Sequence, residues 1–247
     1  MAEKAGTRAA RVVGEFLVIV VGVLVALAVD EWRQSLSERQ AEKEYLEQLH
    51  QDLEETSQVL AEAMTWATNS AAALARIRPY FSEGALPTTD TAAFVADLYN
   101  PSRLYSGALV SAAFVELQTL SRIDLIQDDE LRREFVRHAP ISELLESATG
   151  QLPTGYHDEA RRAFPPAMQI AIRIACPIVR GEAQPCTDYE WDGDTRPLVA
   201  LGGRPELIGD LNDLEAQFLT LYNLVGRSHE STIALRDLVA PRLRSDN

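Results

Sequence analysis

The sequence predicts an all-α protein: an N-terminal transmembrane helix continuing into an extracytoplasmic antiparallel helical bundle with one long loop. Three observations point that way. An apolar run near the N-terminus is about as long as a bilayer is thick, two stretches near the ends of the remaining chain repeat leucine at seven-residue spacing, and no useful stretch alternates apolar with polar residues as a strand does. Composition agrees, because 46% of the 247 residues are hydrophobic but only 7% are aromatic, a balance that suits Ala/Leu-rich helices.

The first element is VVGEFLVIVVGVLVALAVDEW, residues 12–32. Eighteen residues, 12–29, are interrupted only by Glu15, and at 1.5 Å per residue they reach about 27 Å, close to a bilayer's hydrocarbon thickness. Lys4, Arg8 and Arg11 precede the run and Asp30 and Glu31 follow it, so residues 1–11 are expected in the cytoplasm and residues 33–247 outside. Trp32 suits the outer headgroup layer as an interface anchor. The alternative is a cleaved signal peptide, since Ala26-Leu27-Ala28 has the small-x-small pattern of a cleavage site. Glu15 lies four residues after Arg11 and can pair with it near the inner headgroups. Gly14, Val18, Gly22 and Ala26 recur every four residues, a stripe that lets a second membrane helix approach, with Glu15 as a polar contact; self-association into a homo-oligomer is the resulting expectation.

The second element is a long amphipathic helix from about Arg33 to Arg78, ended by Pro79 and Gly84. Leu46, Leu49, Leu53, Leu60 and Leu74 form its seam, with Thr56, Ala63, Ala67, Ser70 and Ile77 at alternate positions. The seam weakens after Leu53, which favours an intramolecular bundle over a coiled coil between chains. Thr89 or Asp90 caps a short helix reaching about Tyr99, another runs from about Ser106 to Ser121, and Asp128 caps one that Pro140 kinks or ends. Residues 156–176 are helical with a bend at Pro165-Pro166. The last helix spans about Pro205 to Val239, with Leu207, Leu211, Leu214, Phe218, Leu221, Val225, Leu235 and Val239 in register. The two long helices can lie antiparallel as half a bundle.

Two stretches together resemble a family of uncharacterised bacterial single-pass membrane proteins, a domain of unknown function. Its members begin with a G-E-I-x-L-V-x-x-G-I-L-I-A-L-like helix, matched here by Gly14, Glu15, Leu17, Val18, Gly22, Leu24, Ala26 and Leu27, then Trp32, Glu44-Tyr45-Leu46 and Asp52-Leu53. Residues 113–135, AFVELQTLSRIDLIQDDELRREF, are similar to that family's Y-x-E-L-x-x-S-G-x-L-x-L-I-x-D-x-E-L-R motif, with Leu120-Ser121 in place of Ser-Gly. The resemblance implies a helical protein tethered to the bacterial inner membrane with its main domain in the periplasm. It implies no activity.

Residues 178–203 are rich in Gly, Pro and Asp and read as a long loop, the first place to look for a partner surface. Cys176 and Cys186, on either side of its first turn, are placed for a disulfide if the domain lies outside, with a loop-entropy contribution on the order of 3 kcal/mol. Residues 188–194, DYEWDGD, alternate carboxylates before a Gly like a calcium loop, but Val199 stands where the closing Glu belongs and Arg196 occupies another late position. His50, His138, His157 and His229 are scattered, and after His229-Glu230 the second zinc-binding position holds Ile233, so no metal site is predicted. Gly202-Gly203 is a loop signal without a phosphate-binding motif around it.

The net charge of −14 repels nucleic acid and anionic lipid. No constellation for catalysis and no cofactor motif is present, so the expectation is a non-enzymatic interaction scaffold or accessory subunit with a protein partner. The rival is a ligand-binding sensor bundle signalling through a partner; a hydrolase at the envelope is a third class.

Overall fold

The computed structural model describes residues 3–83, 90–105, 109–119, 126, 128–149, 155–177, 186, 188–202 and 204–245, with the side chains of 3–19, Leu117, Gln118, Glu146, Thr149 and Ser245 outside that description. Among the described residues there are eight α-helices, one 3₁₀ turn and no strand. The expectations for Gly84, Thr89, Ser106, Ser121 and Gly203 fall outside the described residues.

Helix α1 (Glu3–Glu83) is continuous over 81 residues, about 120 Å. It does not end at Pro79, as the sequence suggested. Proline removes one backbone donor, but Ile77, Tyr80 and Phe81 on either side are buried and hold the last turn in place. Helix α8 (Leu207–Ser245) runs back along α1. Arg78 pairs with Asn212 and Glu215 near one end, Trp66 packs edge-on against Phe218 at 5.2 Å, and Leu46, Leu49 and Leu53 share a cluster with Leu235 and Val239 at the other. The two long helices are therefore antiparallel. Every seam position expected on α1 from Leu46 to Ile77 is buried, and so is each one expected on α8 from Leu207 to Val239.

Helix α2 (Thr91–Tyr99) starts at Asp90, whose Oδ1 accepts from Ala93 N at 3.0 Å, and runs into the 3₁₀ turn Asn100–Ser102. Helix α3 (Ala112–Thr119) is shorter than the helix expected there. Ser111 is not helical; its Oγ accepts from Phe114 N at 3.1 Å and Asp52 of α1 accepts from Ala113 N at 3.0 Å, so the start is set by a local cap and a second acceptor supplied from another helix. Helix α4 (Asp129–Thr149) is capped by Asp128, which accepts from Glu130 N at 2.9 Å and Leu131 N at 2.8 Å. It passes through Pro140 without ending, flanked by buried Phe135, His138, Ser142 and Leu145. Helices α5 (Gly155–Ala163) and α6 (Pro166–Ala175) break at Phe164-Pro165, where the bend was expected. Within the expected loop lies a short helix, α7 (Arg196–Leu201), with Leu198 and Leu201 buried against the core.

Tyrosines tie these pieces together by donating to carbonyls of other elements: Tyr45 to Ala113 at 2.8 Å, Tyr80 to Leu198 at 2.6 Å, Tyr105 to Val59 at 2.8 Å and Tyr156 to Leu98 at 2.6 Å. Gly202 follows α7 because a Cβ there would lie 2.4 Å from the Tyr80 hydroxyl and 2.6 Å from the Leu198 carbonyl.

The interior forms two apolar clusters. One holds Leu46, Leu49, Leu53, Phe114, Leu131, Phe135, Leu235 and Val239; the other starts at Leu60 on α1, Leu145 on α4 and Val225 on α8 and includes Trp66, Tyr99, Tyr156 and Phe164. Between them each long helix contributes buried polar residues: Thr56 and Ser57 from α1, His138 and Ser142 from α4, Ser228 and Thr232 from α8. A polar layer separates the two cores.

Candidate functional site

Three places in the fold could carry function. The first is the free part of α1. From residue 21 to 34 every side chain is exposed, among them Val23, Leu24, Val25, Leu27 and Trp32, the last at 62%. Contiguous exposed apolar surface is rare on monomeric soluble proteins and marks an interaction site where it occurs. Gly22 has open space where a Cβ would stand. Of the other stripe residues, Ala26 is also exposed, whereas the side chains of Gly14, Glu15 and Val18 lie outside the described residues. Among the described residues no helical stretch is long and apolar enough to cross a membrane, and the expected span, residues 12–32, begins within the part whose side chains are not described. Residues 33–45 continue the helix as a mostly exposed polar rod of about 20 Å before the first buried leucine, Leu46.

The second place is the polar layer. His138 is 2% exposed, its Nδ1 shares a hydrogen bond with Ser231 Oγ at 2.8 Å, and the Phe114 ring stands edge-on at 4.8 Å. Burial pulls its pKa down to about 4, so the imidazole is neutral at physiological pH. The sequence treated His138 as one of four scattered histidines; its partner lies 93 residues away, beyond any local signal. With the ring enclosed by Phe114 and Ser231, the pair is suited to holding α4 against α8 rather than to activating a nucleophile.

The third place is the C-terminal end of α6. Cys176 and Cys186 form the disulfide expected of them, with Cα atoms 5.6 Å apart. Arg103 Nη1 donates to the Cys176 carbonyl at 2.7 Å and to Asn100 Oδ1 at 3.2 Å. Arg173 Nε donates to the Tyr99 hydroxyl at 2.9 Å, and that hydroxyl donates to Gln169 Oε1 at 3.2 Å. Burial, helped by the Arg173 charge and opposed by Tyr99, lowers the Arg103 pKa to about 10. Sequence reasoning missed this group because its members come from α2, the turn after it and α6.

In the acidic stretch 188–194 the carboxylates are used locally. Asp194 accepts from Arg196 Nε at 2.9 Å and Nη2 at 2.5 Å, Asp192 accepts from Asp194 N at 2.9 Å, and Gly193 takes a φ of 84° to allow the turn. Arg196 holds Asp194 below the usual carboxylate range. A cation would have to displace that arginine. Among the described residues no group of three His, Cys, Asp or Glu side chains is placed to hold a metal ion. His157 sits beside Asp158 at 3.4 Å, while His50 and His229 lie elsewhere on α1 and α8. A shallow cleft lined by Gln48, Gln51, Asp52, Glu55, Ala112 and Glu116 is acidic, but Asp52 there is taken up by capping α3.

No family model, no curated protein and no solved structure matches this chain.

Proposed function

We propose that the protein is a membrane-tethered helical bundle that works by protein–protein contact, as a scaffold or accessory subunit facing an oxidising compartment. The observation that carries this reading is α1, a continuous helix whose apolar segment stands clear of the bundle with its side chains exposed. Insertion in a bilayer satisfies that surface, and the backbone of an unbroken helix needs no outside partner there. The polar rod at residues 33–45 then holds the acidic domain off the headgroups, which suits a net charge of −14 near anionic lipid. The Cys176–Cys186 bond fits a compartment that keeps disulfides formed.

The test is expression of the full chain in a bacterium followed by alkaline carbonate extraction, with a C-terminal alkaline phosphatase fusion to report topology. The reading expects protein in the membrane pellet and an active fusion. Leu24→Arg together with Val25→Arg should move it to the soluble fraction, because each charge near the middle of a span costs roughly 3 kcal/mol. A wild-type chain found wholly in the carbonate supernatant refutes the tether. In-membrane crosslinking that returns no species larger than the single chain refutes the contact function.

A further inference from the structure

The C-terminal end of α6 gathers more positive charge than its own carbonyls can use. A helix C-terminus carries roughly half a negative charge, whereas Arg103 and Arg173 bring two guanidinium groups. Arg103 spends Nη1 on Cys176 and Asn100, and Arg173 spends Nε on Tyr99. Among the described residues no carboxylate forms an ion pair with either. Elsewhere in this acidic chain arginines find acids readily: Arg76 lies on Asp97, Arg78 on Glu215, Arg204 on Glu159 and Arg242 on Asp128. Both guanidiniums are also fixed in place. Tyr99 is fully buried and holds Arg173 through its hydroxyl, with the Arg173 Cζ 5.9 Å from the ring centroid, and Arg103 is tied to the disulfide-bonded residue at the helix end. Among the described residues Nε and Nη2 of Arg103 and Nη1 and Nη2 of Arg173 have no acceptor, and these are donor sets that the oxygens of a carboxylate or a phosphate take in pairs.

We propose that Arg103 and Arg173, positioned by Tyr99, form a binding site for an oxyanion, a carboxylate or a phosphate. Exposed Ile170 and Ile174, at 58% and 76%, flank Arg173 on the outward side of α6 and offer apolar contact to whatever carries the anion. The inference stands on this geometry and is independent of the membrane tether.

The experiment uses the full chain in detergent micelles with ¹⁵N-labelled arginine, reading the Nε–H signals of Arg103 and Arg173. Inorganic phosphate, succinate, and the capped tripeptides Leu-Glu-Leu and Leu-Gln-Leu are titrated, with sodium chloride matching ionic strength. Saturable shifts of both signals with phosphate, succinate or Leu-Glu-Leu, absent with chloride and Leu-Gln-Leu, support the site. Which of these saturates at lowest concentration tells whether the anion is a phosphate or a side-chain carboxylate. Arg173→Gln, at an exposed position and checked for wild-type circular dichroism, should weaken binding roughly tenfold, Arg173→Lys less, and Arg133→Gln on α4 not at all. Shifts that track ionic strength regardless of the anion, or an Arg173→Gln chain that binds as tightly as wild type, overturn the proposal.

Discussion

Lowering the pH from 8 to 5 should remove stability through one side chain, His138. The ring is buried between Phe114 and Ser231, and burial takes its pKa from 6.5 to about 4. Between those two values the unfolded chain binds a proton that the folded chain refuses, so stability is full above pH 6.5 and falls as pH drops toward 4. With those two constants the loss is about 2 kcal/mol at pH 5 and levels off at about 3 kcal/mol below pH 4. The assay is urea unfolding of the full chain in micelles, followed by circular dichroism at pH 8, 6.5 and 5, for wild type and for His138→Asn. Carboxylates elsewhere titrate in both proteins, so the informative quantity is the difference in pH dependence between them. Wild type should lose about 2 kcal/mol more than the variant over that range. Parallel curves for the two proteins would mean that His138 is solvated or titrates unperturbed, and the polar layer would then not be dry.

Three further outcomes follow from particular contacts. Asp97 is 3% exposed and bound by both Nε and Nη2 of Arg76 at 2.5 and 2.8 Å, yet burial outweighs the arginine and raises its pKa. Arg76→Met should therefore cost on the order of 3 kcal/mol in thermal unfolding, while Arg76→Met with Asp97→Leu recovers most of it. Trp66 is 2% exposed and packed on Phe218 and Tyr105, but its indole N–H has no partner among the described residues. Trp66→Ala should cost about 4 kcal/mol and Trp66→Phe less than half of that, measured by denaturant midpoints. Replacing Cys176 and Cys186 with serine opens a loop with a sequence separation of 10 and should lower stability by about 3 kcal/mol under oxidising conditions, with no difference from wild type once reductant is added.

The parts of the fold that were legible in the sequence are those where one helix buries one face along its whole length. The seams of α1 and α8 needed only a count of apolar residues at helical spacing, and Asp90, Asp128 and the Pro165-Pro166 bend needed only local chemistry. Pro79 was read as a stop and Pro140 as a kink or a stop, and neither ends its helix. Pro79 and Pro140 each stand inside a helix whose neighbouring turns are pinned by buried side chains, and Pro241 is followed by Arg242, held on Asp128. One missing donor is a local cost that such contacts outweigh. The late start of α3 is set by Ser111, a local cap, together with Asp52 of α1, which accepts from Ala113 N across 61 residues and which no local signal announces.

The polar layer shows why a weak seam is not an empty one. After Leu53 the α1 pattern passes to Thr56 and Ser57 before returning to Leu60, and read alone that suggests poor packing. At the matching level α8 offers Ser228 and Thr232 and α4 offers His138 and Ser142, so the weak points of three helices coincide and are buried together. Apolar seams alone would let α1 and α8 slide by a heptad at little cost, because leucine meets leucine in many registers. A slide of α8 against both α1 and α4 would set Thr56, Ser57 and His138 against apolar side chains and break the bond to Ser231. The layer thus fixes the register of α8 against α1 and α4, which hydrophobicity leaves loosely specified, and that register is what brings Arg78 of α1 to Glu215 of α8 at one end and Arg242 of α8 to Asp128 before α4 at the other.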